Sequence, residues 1–68
     1  MSKQTVLGWL IAKNIASNAT IIKIKEVGEQ AEVYTKHTLP NSFYEFQGFI
    51  NLKTKEFFKN GELVGILD

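Results

Sequence analysis

The first seventeen residues show the three- and four-residue hydrophobic spacing that is typical of an amphipathic helix. We predict a helix over residues 3–17, with Ser2 as a candidate cap. The apolar positions that gather on one face are Val6, Leu7, Leu10, Ile11 and Ile15. Much of the opposite half is also apolar or small, with Gly8, Trp9, Ala12 and Ala16. Because the polar stripe is so narrow, we expect this helix to bury more than one face.

Residues 20–36 show the alternation of two paired strands. The runs 20–27 and 30–36 flank Gly28-Glu29, and a leading Gly suits a two-residue type II′ turn. This turn predicts four facing pairs, Lys25 with Glu32, Ile24 with Val33, Lys23 with Tyr34 and Ile22 with Thr35. One face of the hairpin is then mostly apolar, and the other carries an opposite-charge pair.

The rest of the chain predicts further short strands. Pro40 lacks an amide donor and Asn41-Ser42 favours a turn, so we expect a loop over residues 36–42. The aromatic run 43–51 predicts a strand, with Gly48 marking a bulge. After a turn over residues 51–55, segments 56–59 and 62–67 flank Asn60-Gly61, a strong hairpin signal. Gly65 would let a neighbour approach the last strand closely.

A second helix within residues 43–59 is the competing interpretation. Ser42 and Glu45 have the spacing of a capping box, and five apolar positions share a helical face, namely Phe43, Phe46, Phe49, Ile50 and Phe57. Gly48, Asn51 and Thr54 argue against it. We therefore predict one α+β domain over residues 1–68, with an N-terminal helix packed on an antiparallel meander sheet of four to five short strands.

Size and composition make self-association an expectation. A chain of 68 residues is near the lower limit for a lone hydrophobic core, and it contains no cysteine for disulfides. No stretch approaches the length needed to cross a bilayer, and Lys13 and Asn14 interrupt the only resemblance to a signal peptide. We expect a cytoplasmic protein. The abundance of Lys, Ile and Asn fits an AT-rich genome, and we interpret the chain as bacterial or phage-type.

The residues that carry catalytic chemistry are scarce. There is one histidine, His37, in a predicted loop, where a solvated side chain is the expected state. Glu26, Glu29 and Glu32 are spaced by three residues, but a hairpin places Glu26 and Glu32 on opposite faces. No nucleophile elbow, phosphate-binding loop or metal-ligand spacing is present. We therefore expect no enzyme, no catalytic residue, no cofactor, no metal and no small-molecule ligand.

Two binding functions remain. The first is a protein-interaction or regulatory module that self-associates or binds a protein partner through the helix residues Gly8, Trp9, Ala12 and Ala16. The alternative is weak nucleic-acid binding by aromatic residues and by Lys23, Lys25, Lys53 and Lys55. The net charge of only +1, the lack of arginine and the expected use of most phenylalanines in the core all argue against this alternative.

Overall fold

The computed structural model describes residues 2–67. One helix precedes five strands, α1 Lys3–Ala12, β1 Thr20–Val27, β2 Gln30–His37, β3 Glu45–Asn51, β4 Glu56–Lys59 and β5 Glu62–Ile66. The strands form one antiparallel sheet in the order β1-β2-β3-β4-β5, so each strand pairs with its neighbour in sequence. The predicted α+β fold with a meander sheet is confirmed.

Helix α1 begins at a side-chain cap. The Ser2 hydroxyl accepts a hydrogen bond from the amide of Thr5 at 3.1 Å, which satisfies one of the free amides of the first turn. Val6 and Leu10 from this helix are fully buried against the sheet. The predicted cap and the predicted apolar face therefore both agree with the structure at the start of the helix.

The helix ends earlier than the predicted range of residues 3–17. Asn14 has a φ of 61°, in the left-handed region that Asn tolerates better than most residues. The amides of Asn14 and Ile15 donate to the carbonyls of Ile11 and Leu10 at 3.0 and 2.9 Å, which is a Schellman cap. The predicted last turn was wrong because this cap reverses the chain, and Ile15 packs against the core from the loop.

Both predicted hairpins are present. All four predicted pairs of β1 and β2 occur in the observed register. Gly28 has a φ of 63°, as the first central position of a type II′ turn requires. Asn60 and Gly61 have φ values of 54° and 79°, the two left-handed positions of a type I′ turn. Turn chemistry and strand alternation agree in both hairpins, which fixes which side chains share a face.

Strand β3 contains the predicted bulge. Val33 pairs with Gly48 while Tyr34 pairs with Phe46, so Gln47 is the extra residue. Gly48 has a φ of 157°, and a Cβ there would collide with the backbone oxygen of Phe58 in β4. Only glycine allows the two strands this approach. The alternative of a second helix within residues 43–59 was wrong.

The core lies between α1 and one face of the sheet. Its buried members are Val6, Leu10, Ile22, Ala31, Val33, Ile50, Phe57 and Leu67. Trp9 packs edge-on against Phe57, with ring centroids 5.6 Å apart. A Cβ on Gly65 would lie 2.9 Å from Trp9 Cζ2, which confirms the expected close approach to the last strand.

Candidate binding surface on the open face of the sheet

The four predicted helix residues do not form one outward surface. Trp9 is partly buried, and its indole N–H donates to the carbonyl of Ile66 in β5 at 3.2 Å. Ala16 is also partly buried and packs against the core from the loop after the helix. Gly8 and Ala12 are exposed. Part of the Trp9 indole is therefore covered by the same chain, because Gly65 leaves room for it on the sheet.

The sheet has a second face, directed away from the helix. Its side chains alternate with the core positions along each strand and pair across the sheet. We call it the open face, and it carries Lys23, Lys25, Glu32, Tyr34, Lys36, Phe46, Phe49, Phe58, Leu63 and Ile66. Large apolar side chains on it are substantially exposed to solvent, including Phe46 at 48% and Ile66 at 55%.

Aromatic rings run across the open face. Tyr34 and Phe46 contact each other edge to face at 5.5 Å, and Phe46 contacts Phe49 in the same way at 5.0 Å. Phe49 is paired in register with Phe58 on β4. We call these four residues the aromatic row. Of the five phenylalanines only Phe57 is buried, so the expectation that the core would use most of them was wrong.

Lysines lie against the β1–β2 end of the aromatic row. Lys23 Nζ is 5.8 Å from the ring centroid of Tyr34 and 5.6 Å from that of Tyr44. Lys36 Nζ is 5.1 Å from the Tyr44 centroid. Contacts of this kind are attractive and hold the ammonium groups beside the rings. Lys25 lies on the same face, opposite Glu32 in the register.

The other two predicted lysines, Lys53 and Lys55, lie in the turn between β3 and β4. Asn51 organises this turn, because its Oδ1 accepts hydrogen bonds from the amides of Lys53 and Thr54 at 2.9 and 3.1 Å. The amide of Lys55 donates to the Asn51 carbonyl at 2.7 Å. The four lysines predicted for nucleic acid thus fall in two groups, one on β1 and one at the end of β3.

Tyr34 is held neutral within the row. Its hydroxyl donates to Glu32 Oε1 at 3.1 Å, and this hydrogen bond to the carboxylate raises the pKa of Tyr34 above its usual value of 10. The ring therefore stays an uncharged phenol through neutral and mildly alkaline pH. The same hydrogen bond gives the Glu32 carboxylate a partner within the protein.

A cleft open to solvent lies at one end of the aromatic row. It has a volume of about 330 Å³ and is lined by Gln30, Phe49, Asn51 and Phe58. Phe49 pairs with Phe58, and Gln30 pairs with Asn51, so two cross-strand pairs on the open face form its walls. Two aromatic rings and two amide groups suit a flat, uncharged ligand that can both stack and hydrogen-bond.

A second cavity, of about 320 Å³, lies at the opposite end of the sheet. Its lining is Ile15, Thr20, Thr35, Lys36, His37, Ser42, Phe43, Glu45 and Gln47. Gln47 donates to the buried Thr35 hydroxyl at 2.8 Å and accepts from Lys59 Nζ at 3.0 Å. Its innermost polar groups are thus already hydrogen-bonded within the protein.

Two classes of feature are absent from residues 2–67. Within this range no group of three or more His, Asp or Glu side chains is placed to hold a metal ion. No helix in the same range is long and apolar enough to cross a membrane. Compared with known proteins, the chain matches no family model, no curated protein and no solved structure.

Proposed function

We propose that this protein is a non-enzymatic binding module that acts in the cytoplasm and holds single-stranded nucleic acid on the open face of its sheet. The observation that carries the proposal is the exposed aromatic row, with Lys23 beside its Tyr34 end and with Lys53 and Lys55 in the turn that follows β3. Proteins that bind single strands combine these two features, because aromatic rings stack on bases and cations follow the phosphates. The chemistry of the open face therefore matches both parts of such a ligand.

The expected binding is weak and tolerant of sequence. All eight basic residues are lysines, which contact phosphates as point charges without the paired hydrogen bonds of arginine. The net charge of +1 adds little long-range attraction. Stacking on Phe46 and Phe49 would then supply much of the affinity, at about 1–3 kcal/mol per stacked base.

Two separate charge-reversal variants test the proposal, one of a lysine on the open face and one of a lysine on α1. Binding of a fluorescently labelled oligothymidylate is measured by anisotropy at several salt concentrations, first for the wild type and then for Lys23→Glu. We expect a loss of affinity of about tenfold and a shallower salt dependence, because one phosphate contact is removed. Lys3→Glu is the matched control, since Lys3 is exposed on α1, away from the open face.

Two results would contradict the proposal. One is the absence of any binding at low salt, and the other is an equal loss of affinity for Lys23→Glu and Lys3→Glu. Circular dichroism of both variants shows whether the sheet is retained. The double variant Lys53→Glu/Lys55→Glu applies the same test in the β3–β4 turn, where the two side chains are exposed.

A protein ligand, including a second copy of this chain, is the second candidate. The open face continues beyond the aromatic row into the exposed aliphatic residues Leu63 and Ile66 on β5, which suit a protein contact better than a nucleotide. A standard interface buries about 800 Å² per partner, a substantial part of the 4732 Å² surface of this domain. A dimer mass by light scattering that returns to monomer in Leu63→Lys would favour this candidate.

A further inference from the structure

The cleft lined by Gln30, Phe49, Asn51 and Phe58 has one amide that is fixed in orientation. Asn51 Oδ1 is occupied by two backbone amides of the following turn, at 2.9 and 3.1 Å. The Nδ2 group must therefore point away from the turn, and its two N–H donors make no hydrogen bond within residues 2–67. The side chain presents a donor of fixed direction at the rim of an aromatic cleft.

The charges around the cleft disfavour an anion inside it. Glu32 faces Phe49 across the β2–β3 ladder, and Glu56 lies two residues from Phe58 on the same face of β4. Both carboxylates accept hydrogen bonds from neighbouring hydroxyls, Glu32 from Tyr34 and Glu56 from Thr54. Two negative charges repel a phosphate but leave an uncharged ring free to enter. Lys53 and Lys55 lie in the adjacent turn, and Lys59, which follows Phe58, donates to Gln47 Oε1 at 3.0 Å.

We propose that this cleft is a nucleobase subsite and that Asn51 gives it a preference for bases with carbonyl oxygens. This inference rests on the proposed function and assigns one site within it. The base stacks on Phe49 and Phe58, Asn51 Nδ2 donates to a carbonyl oxygen of the base, and Gln30 contacts the remaining edge. The volume of about 330 Å³ is at the lower end of small-molecule sites and suits one flat ring system.

The assignment predicts which bases bind best. Thymine and uracil present carbonyl oxygens on their hydrogen-bonding edge, whereas adenine presents an amino group where thymine has an oxygen. At that position a fixed N–H donor at Asn51 hydrogen-bonds to the oxygen of thymine or uracil and gains no hydrogen bond from the amino group of adenine. We expect oligothymidylate to bind about tenfold more tightly than oligodeoxyadenylate of equal length, because a mismatched polar pair costs roughly a factor of this size.

Asn51→Asp is the decisive variant, because it keeps the turn and removes the donor. A carboxylate at this position still accepts the two backbone amides, so the turn is retained. The added negative charge weakens binding of every oligonucleotide, but it does not by itself alter the ratio between two of them. We expect the thymine-over-adenine ratio to fall to about one. Asn60→Asp, in the β4–β5 turn, makes the same chemical change outside the cleft and should keep the ratio.

A second variant and a direct measurement keep the test decisive. Phe58→Leu preserves an apolar side chain but removes the ring, so affinity for oligothymidylate should fall about tenfold while an abasic oligomer is unaffected. In NMR spectra the side-chain amide of Asn51 should shift with oligothymidylate and remain unchanged with the abasic oligomer. Salt-dependent binding without base preference would overturn the subsite alone. The absence of all oligonucleotide binding would overturn both the subsite and the proposed function.

Discussion

Gly65 and Gly8 differ in what a methyl group at each position would meet. At Gly65 a Cβ would lie 2.9 Å from Trp9 Cζ2 and 3.5 Å from Lys13 Cε, whereas at Gly8 nothing lies within 4 Å. We expect Gly65→Ala to lower the free energy of unfolding by about 1–3 kcal/mol, because the indole must leave its position on the sheet. Urea denaturation followed by circular dichroism measures the change.

Gly8→Ala is the matched control for Gly65→Ala. The same chemical change in the middle of α1 should raise the free energy of unfolding by about 0.5–1 kcal/mol, because alanine favours helix more than glycine does. Opposite signs for the two substitutions are the expected result. If Gly65→Ala proved neutral, the contact between Trp9 and β5 would be looser than the structure shows.

The position of the candidate site depends on individual residues whose contacts the sequence pattern could not show. Trp9, Ala12 and Ala16 are apolar, and the pattern could not show that Gly65 makes room for the indole, because Gly65 follows Trp9 by 56 positions. The pairing of Lys23 with Tyr34 was predicted from the hairpin register. What that register did not show is that Phe46 and Phe49 continue the same face, since this requires knowing which residue of β3 is the bulge.

Asn14 determines where helix α1 ends. Its left-handed φ of 61° is natural for glycine, tolerated by asparagine and costly for alanine. We expect Asn14→Ala to reduce the free energy of unfolding by about 1 kcal/mol. Asn14→Gly should leave the free energy unchanged or raise it slightly, and thermal unfolding of the pair measures the difference.

A destabilisation of similar size by both Asn14 substitutions would show that the side chain, and not the backbone conformation, matters at this position. The exposed Asn14 side chain gives no packing reason for such a result. The comparison therefore isolates the backbone term, because alanine and glycine both remove the amide.

The elements differ in how well their sequences specify them. The β1–β2 hairpin was predicted with its register because turn chemistry, alternation and charge pairing all point to one arrangement. The end of α1 was not, because apolar spacing continues to Ile15 while the helix stops at Ala12. Hydrophobic periodicity reports which residues face the core and does not distinguish a helix from the loop that returns to the same core.

At the scale of the whole molecule, the two faces of the sheet differ in burial and composition. One face holds α1 and the buried core, including Phe57. The other carries exposed apolar and aromatic side chains that add little to the core, which is unusual for a domain short of buried surface. A surface of this kind is retained at a cost in solubility, and this is consistent with a ligand that covers it.

The single tryptophan lies on the helix side of the sheet and can therefore distinguish the two candidate surfaces. If ligand binds the open face, saturating oligothymidylate should raise the anisotropy of a labelled oligomer while Trp9 fluorescence stays unchanged, because the sheet separates Trp9 from the bases. Urea should still shift Trp9 emission, since unfolding removes its contact with Phe57. Strong quenching of Trp9 by the oligonucleotide would instead place the ligand on the helix side. Binding would then involve the surface around Gly8 and Ala12, and the aromatic row would need another explanation.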